Sequence, residues 1–352
     1  MDPDVPGFPV ATDPDRLAGW LEQVGAPAAG RLRYRRWKPG TSVVLALEIG
    51  GRPAFLFAVA DHARPKVAKY VRKAPDAVLA VDEAAGVLLA GPGADRDLPG
   101  LRTPPDGQPL AWKPMRRWVS RSADGSVLRR CYRAGRSTDA LLRYRSAVGA
   151  TVATSPVLGH DPDTATLELG FLPGRPAGPQ DLVAVGAALA RWHATPITPA
   201  VPAAGAPAWR ESAAMAARLV PGLAPRIAGL VALTGALPSR PPAPALVHGD
   251  CSLDQLLIEP GGGVALLDLD RAGTGSAVDD LASLRMAAPD DSGWPDLLAG
   301  YGQATAPPVP DLRDLLVAGL GRLTDPFRSC AAGWVTDTAG MVRRMESLAV
   351  QR

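Results

Sequence analysis

A chain of 352 residues with 47% hydrophobic and 21% charged side chains is long enough for one large two-lobed domain or two to three ordinary ones, and it has ample material for a packed core, which excludes a disordered chain. A formal charge of +3 is small for this length and gives no argument for a nucleic-acid or membrane-surface partner. The three cysteines, Cys131, Cys251 and Cys330, are odd in number and far apart, which fits a reducing cytoplasm better than a disulfide framework. The amino terminus, MDPDVPGFPV, carries acids and prolines where a signal peptide needs a basic and then an apolar region, and no apolar run reaches membrane-spanning length.

The first 30 residues hold a short helical pattern, DPDRLAGWLEQVG, with Asp13 and Pro14 placed as N-cap and first-turn residues and Leu17, Trp20 and Leu21 expected to pack on the strands after it. RLRYRRWKPGTSVVLALEIGGRPAFLFAVA reads as three strands, with turns at the Pro-Gly and Gly-Gly pairs. PKVAKYVRKA is a helix or a strand end, and two short strands are expected around Val78 and Leu88. The Gly/Pro-rich stretch 91–108 marks a boundary. A similar order then begins again: Trp112-Lys113-Pro114 echoes Trp37-Lys38-Pro39, two strands come next, and a basic strand end closes the set. We read a degenerate internal repeat in which VAKYVRKA parallels LRRCYRAG. A helix is expected over 138–148, then a strand in TATLELGFLPGRP.

From residue 175 the pattern turns helical. QDLVAVGAALARWHA places Leu182, Val185, Leu189 and Trp192 at three- and four-residue steps, an amphipathic core helix ended by His193. TPITPAVPAAGAPA is a Pro/Ala loop, two apolar helices come after it at Trp209–Leu219 and about 224–237, and SRPPAPA links them to the next strand. Lysine occurs only at 38, 66, 69, 73 and 113; the 38 basic residues less these five leave 33 arginines. Chemistry that needs a lysine must therefore draw on the first third of the chain or use arginine instead.

The stretch LVHGDCSLDQLLIEPGGGVALLDLD, residues 246–270, carries the chemistry. His248, Gly249 and Asp250 end one apolar run, Gln255 stands five residues after Asp250, and a GGG turn leads into a second run that delivers Asp268. The LLI and VALL segments read as a short strand pair. A phosphoryl-transfer site needs an aspartate to take the acceptor hydroxyl proton, an amide side chain five residues on to hold metal, and a strand-end aspartate to hold Mg²⁺ between the phosphates. Asp250, Gln255 and Asp268 fill those roles. Asp270, two residues past Asp268, faces the same side of an extended chain; it either completes the metal shell or pairs with Arg271. His248 braces the loop. Cys251, without a thiolate-activating pattern, is read as packing.

The stretch resembles the motif HGDxxxxN followed by DxE or DxD of the aminoglycoside phosphotransferase superfamily, and GTGSAVDDLASL resembles its GDPxxDLA segment, which places Asp280 as the anchor behind the metal site. The resemblance covers about 109–290. It implies an α+β, bilobal protein-kinase-like fold: a β-rich small lobe at 109–172, a mainly helical large lobe at 173–352, and an additional N-terminal cap subdomain at 1–108. It implies ATP and Mg²⁺ as cofactors and phosphorylation of a small-molecule hydroxyl; the cysteine usage and the amino-terminal pattern give the expectation of a cytoplasmic enzyme. Gln255 replaces the usual Asn, as in maltokinases and bacterial glucosamine kinases, which points to a sugar or amino sugar; the second loop His of those kinases is missing from HGDCSLDQ. The segment ending in FLPG resembles the family's hinge, so backbone groups of Gly170 and Leu172 are expected at the nucleotide base. A phosphate-binding cation on the third strand falls on Arg130, or neighbouring Arg129, with Asp139 as partner; alternatively Lys69 is contributed by the first copy. His193 matches a packing helix of the family and is read as structural. Acidic and aromatic residues of the last helices, Asp290, Asp291, Tyr301, Asp311, Asp314, Asp325 and Trp334, would suit a sugar pocket, and none is named as a ligand. The Ala/Arg/Gly/Pro-rich composition suggests a GC-rich bacterial genome, and a monomer is favoured. An aminoglycoside-modifying kinase and a pseudokinase that binds nucleotide or a protein partner stay open as alternatives.

Overall fold

The structure is a computed structural model that describes residues 2–102, 106–147, 150–197, 201–205, 208–239 and 243–351. The chain divides into two compact units, the first made of 1–138, 158–169 and 326–334, the second of 139–157, 170–325 and 335–352. The expected linkers 195–208 and 239–245 lie partly outside the described residues.

The first unit opens with α1 (Phe8–Thr12) and α2 (Pro14–Gln23). Asp13 caps α2 as expected, accepting from the backbone N–H groups of Asp15 and Arg16 at 2.9 and 3.2 Å, and Leu17, Trp20 and Leu21 are buried. A meander of β1 (Ala29–Lys38), β2 (Ser42–Ile49) and β3 (Arg52–Val59) comes next. After α3 (Arg64–Lys73), a hairpin of β4 (Val78–Asp82) and β5 (Val87–Ala90) completes a sheet of order β1-β2-β3-β5-β4. Its middle strands are buried along nearly their whole length, which is why they read as continuous apolar runs and not as alternating ones.

The second sheet is built in the same order. A meander of β6 (Gln108–Lys113), β7 (Arg117–Arg121) and β8 (Val127–Tyr132) leads through α4 (Ser137–Ser146) and the short β9 (Ala153–Thr154) to β10 (Val157–Asp161) and β11 (Thr166–Gly170). The sheet runs β10-β11-β8-β7-β6, so each sheet is a meander, then a helix, then a hairpin whose later strand lies beside the meander's third strand. Both Trp-Lys-Pro triplets sit where the first strand enters its turn. The pairing of VAKYVRKA with LRRCYRAG is corrected by this order: the former is α3 and the latter is β8 with its following turn. The position of α3 in the first set is held by α4 in the second. That helix ends at Ser146, and residue 148 of the expected span lies outside the described residues.

A shared core of Phe55, Phe57, Tyr70, Leu88, Leu98, Trp112, Met115, Trp118 and Cys131 joins the two sheets within this unit, each buried large apolar side chain contributing roughly 1.5–3 kcal/mol. Asp95 is set into that core, 2% exposed. Its Oδ2 accepts from Trp112 Nε1 at 3.2 Å and from the Met115 amide at 2.7 Å, and burial pushes its pKa up to about 6.

The second unit continues with β12 (Arg175–Pro176), α5 (Leu182–His193), α6 (Trp209–Leu219), α7 (Ala224–Ala236), β13 (Pro244–Val247), β14 (Leu256–Ile258), β15 (Val264–Leu266) and β16 (Gly273–Ser276), then α8 (Ala277–Ala287), α9 (Trp294–Gly302), α10 (Leu312–Arg322) and α12 (Trp334–Val350); the short α11 (Asp325–Arg328) opens the segment 326–334 that belongs to the first unit. Helices α6, α7, α8, α10 and α12 enclose one core around Trp209, Ile227, Leu230, Met286, Leu316, Leu320, Val342 and Met345. Helix α5 lies against α9, where a Cβ on Gly186 would stand 2.0 Å from the Leu297 carbonyl oxygen and one on Gly300 equally close to that of Val183. Among the described residues, no helix is long and apolar enough to cross a membrane.

Candidate active site

The site lies at the ends of two strand pairs of the second unit. β13 pairs antiparallel with β16, Val247 facing Gly273, and the buried run Ala245, Leu246, Val247 carries the chain directly to His248, itself fully buried. Gly249 then takes φ +76°, and a Cβ there would lie 2.5 Å from the backbone oxygen of Arg271. Only glycine lets the two loops touch backbone to backbone in this conformation. The HGD loop and the segment after Asp268 are thereby held in register.

Asp280, in the first turn of α8 and fully buried, fixes the loop from behind. Its Oδ2 accepts from the His248 amide at 2.6 Å and its Oδ1 from the Gly249 amide at 2.8 Å. His193 Nε2 lies 3.1 Å from Oδ2, and the other ring nitrogen lies 3.0 Å from the Tyr301 hydroxyl. Burial alone would raise the carboxyl pKa, but the hydrogen bond and charge of His193, with the amide donors, hold it below the usual carboxylate value. Asp280 stands where the family motif placed an anchor. His193 is buried, in keeping with a packing role, and it also ties α5 to that anchor; this bond joins segments 87 residues apart, and no local pattern announces it.

His248 links the two halves of the site. Its Nε2 donates to the Leu267 carbonyl at 2.6 Å, which leaves Nδ1 to accept from the Asp250 amide at 3.3 Å. The ring bridges the residue before Asp268 to the backbone of Asp250. The Asp250 carboxylate stays half exposed, with Arg271 Nε 3.8 Å from its Oδ2. Cys251 is completely buried, and burial pushes its thiol well above the ordinary value, so it is packing and no nucleophile.

β14 and β15 form the expected hairpin, Leu256 opposite Leu266 and Ile258 opposite Val264. One more bond, from the Leu267 amide to the Gln255 carbonyl at 2.9 Å, extends the ladder, so Gln255 and Asp268 emerge from adjacent ends of the hairpin. The Gln255 amide nitrogen donates to Asp254 Oδ2 at 3.1 Å. Asp268 adopts the left-handed conformation, φ 55°, ψ 56°, which a short polar side chain tolerates better than most. The chain then makes a 3-10 turn over Leu269–Arg271. Asp270 therefore does not continue from Asp268 along an extended strand, and the same-side argument fails because the backbone turns at Asp268. Arg271 pairs with Asp250.

As a donor set, the Gln255 amide oxygen and the Asp268 carboxylate are hard oxygen ligands of the kind Mg²⁺ takes. Among the described residues, no group of three or more His, Cys, Asp or Glu side chains could hold a metal by itself.

The other expected residues are divided between the two units. Arg130, on β8 of the first unit, is 7% exposed, with Nη1 3.5 Å from the Tyr132 hydroxyl. Arg129, on the alternate face, is committed to Glu168 at 2.8 Å. Lys69 lies exposed on α3 of the first unit. In the second unit, Asp139 pairs with Arg143 one helical turn on, at 3.3 Å, and Arg143 donates to the Ala272 carbonyl at 2.8 Å. The Gly170 amide is taken by the Pro156 carbonyl at 2.8 Å, and Leu172 lies beyond it in a part-exposed loop. Several acids of the last helices have structural partners: Asp291 holds Arg285 and Arg344, Asp311 and Asp314 form a capping box, and Asp290 closes a turn on Ser292.

A β-rich unit followed by a mainly helical one, with antiparallel sheets in the first, is a mixed α+β fold of the protein-kinase-like class. Residues 110–316, more than half of the chain, match the sequence model of the phosphotransferase enzyme family. The chain belongs to this family of phosphotransferase enzymes. No curated protein matches the chain. Among solved structures, the chain is similar to the macrolide 2'-phosphotransferase MphH from Brachybacterium faecium (20% identity, 67% of this chain and 91% of the other, TM-score 0.46). It is also similar to aminoglycoside 2'-phosphotransferase-IIIa in its GDP complex (14%, 68% and 92%, TM-score 0.49). A third is the amicoumacin kinase hAmiN with AMP-PNP and Ca²⁺ (15%, 68% and 88%, TM-score 0.46).

Proposed function

We propose that this kinase transfers the terminal phosphoryl group of ATP, with Mg²⁺, to a hydroxyl of a sugar or amino sugar, and that Asp250 is its base. The observation that carries the reading is the His248 bridge, which ties the Asp250 amide to the carbonyl next to Asp268 and so sets the proton acceptor and the metal-binding end in one rigid frame. Asp250 orients the acceptor hydroxyl and takes its proton as the bond to phosphorus forms. Gln255 and Asp268 hold the cation, with Asp270 as its further neighbour, and the cation when bound neutralises charge on the phosphate oxygens. Arg271, beside Asp250, supplies positive charge at the same point. Arg130 is the proposed phosphate contact of the first unit, Lys69 its alternative, and backbone groups at Gly170 and Leu172 receive the base.

What points to a sugar is Gln255, in the position where maltokinases and glucosamine kinases carry glutamine. In this reading 1–108 is a cap subdomain, 109–172 the small lobe and 173–352 the large lobe, and the enzyme works as a monomer in the cytoplasm of a bacterium. All three cysteines are free, in keeping with that compartment.

The test is ADP release from Mg·ATP across sugars, amino sugars, aminoglycosides and small amino alcohols, with Asp250→Asn as control. Release stimulated by sugars and lowered on the order of 10²–10⁴-fold in the control is the expected result. Stimulation by aminoglycosides alone rejects the sugar assignment, and a control as active as the parent rejects Asp250 as base.

A further inference from the structure

The catalytic loop is held beyond Asp250 as well as before it. The carbonyl of Cys251, the residue directly after Asp250, accepts from Arg322 Nη2 at 3.0 Å and from Ser283 Oγ at 2.9 Å. The same Nη2 lies 2.9 Å from Ser283 Oγ, and Nη1 lies 3.4 Å from Asp325 Oδ2. One guanidinium at the end of α10 thus joins the catalytic loop, α8 and the start of α11. Its side chain is only 17% exposed, whereas the Asp250 carboxylate is 55% exposed.

The arrangement has a division of labour. Asp280, an anion, takes the two amide N–H groups that precede Asp250; Arg322, a cation, takes the carbonyl that comes after it. Opposite charges therefore hold opposite ends of the loop from His248 to Cys251 that carries the aspartate, each by the kind of charge-assisted hydrogen bond that its partner can make. The carboxylate itself is half exposed, with Arg271 as its side-chain neighbour at 3.8 Å, so its position depends largely on how its backbone is held. A lysine at 322 could fill one of these bonds, but its single ammonium lacks the planar fork that reaches a carbonyl, a hydroxyl and a carboxylate together.

We propose that Arg322 is a positioning residue of the phosphotransfer site: through the Cys251 carbonyl it sets where the Asp250 carboxylate meets the acceptor hydroxyl, and so controls turnover without touching substrate. The proposal rests on the reading of Asp250 as base. Since misplacement of a reacting group by about 1 Å costs on the order of 10²-fold, removal of the guanidinium acts on kcat and leaves the KM for nucleotide and acceptor nearly unchanged.

The experiment measures ADP release by the full chain and its Arg322→Met, Arg322→Lys, Ser283→Ala and Asp250→Asn variants, at a temperature where circular dichroism shows each folded, with water as acceptor if no other is found. The expected result is a fall in kcat of about 10²-fold in Arg322→Met with KM values within about twofold, a smaller fall in Arg322→Lys, and partial recovery of Arg322→Met by millimolar methylguanidine. A merely structural arginine would lower the melting temperature but give the parent's kcat below it, and that outcome overturns the proposal. If Arg322→Met does not fold, Arg322→Lys and Ser283→Ala decide: lower kcat at unchanged KM supports the role, and parental kcat in both overturns it. An inactive Asp250→Asn beside an undiminished Arg322→Met rejects the positioning role alone. An undiminished Asp250→Asn, or a parent that releases no ADP, removes the base reading and this proposal with it.

Discussion

The imidazole of His193 and the carboxylate of Asp280 meet at 3.1 Å in the interior of the second unit, their side chains 4% and 1% exposed. The carboxylate carries the loop that precedes Asp250, so the pair couples the stability of the helical core to the geometry of the site. Asp280→Asn leaves an amide N–H₂ among groups that donate. Breaking such a buried arrangement costs about 3–5 kcal/mol, readable as a shift in urea denaturation together with a fall in turnover. Because the folded pKa of Asp280 is depressed, its stabilisation is present above the ordinary carboxylate range and is lost as pH falls through the folded value. The variant should lack that part of the acid limb.

Gly249→Ala tests the backbone contact between the two loops. An alanine must adopt φ +76° and place its Cβ 2.5 Å from the Arg271 oxygen, and relief requires the HGD loop to move. A stability loss of at least about 2 kcal/mol is expected, with a loss of ADP release measured on the fraction that stays folded. Gly229→Ala, in α7 where nothing lies within 4 Å, is the matched control and should be neutral or slightly stabilising.

Asp95 gives the first unit a pH dependence of opposite sign. Its folded pKa is about 6, above the roughly 3.9 of an unfolded aspartate, so the neutral form favours folding. That contribution is complete below the unfolded value and fades as pH rises through about 6. Relative to Asp95→Asn, the parent should gain on the order of 3 kcal/mol as pH falls from 7 to 4, measured as the difference between urea midpoints at the two pH values. No convergence of the curves on acidification would reject the assignment.

The proposed cation site predicts a graded series at residue 255. Gln255→Asn keeps an amide oxygen and should retain activity at a somewhat higher Mg²⁺ requirement. Gln255→Leu removes the oxygen and should raise the Mg²⁺ concentration for half-maximal ADP release on the order of tenfold or more. Equal Mg²⁺ dependence in the two variants would remove Gln255 from the metal site.

Much of the fold was legible because its signals are local. Asp13-Pro14 announced a helix start, the apolar runs between Gly pairs announced the first meander, and the LLI and VALL runs about the GGG turn announced the hairpin that delivers Asp268. What stayed hidden depends on contacts between distant segments. His193 reads as a structural residue ending a packing helix, and nothing local shows that Asp280 and Tyr301 await it 87 and 108 positions on. Asp270 was placed by assuming an extended chain, and the left-handed turn at Asp268 breaks that assumption. VAKYVRKA was matched to a strand by its charges, although its buried residues Val67 and Tyr70 stand three apart, the spacing of a helix face.

The two sheets with one strand order present the folding chain with a choice, since either hairpin could in principle dock on either third strand. Neighbouring copies of one pattern invite such exchange. The copies have diverged in a way that discourages it: β3 offers Ala54 to Val59 as an unbroken buried run, whereas β11 carries Glu168, whose partner Arg129 is found only on β8. A β10–β11 hairpin docked on β3 would separate that carboxylate from its cation. Divergence between the copies thus marks β8, and not β3, as the strand on which β11 belongs.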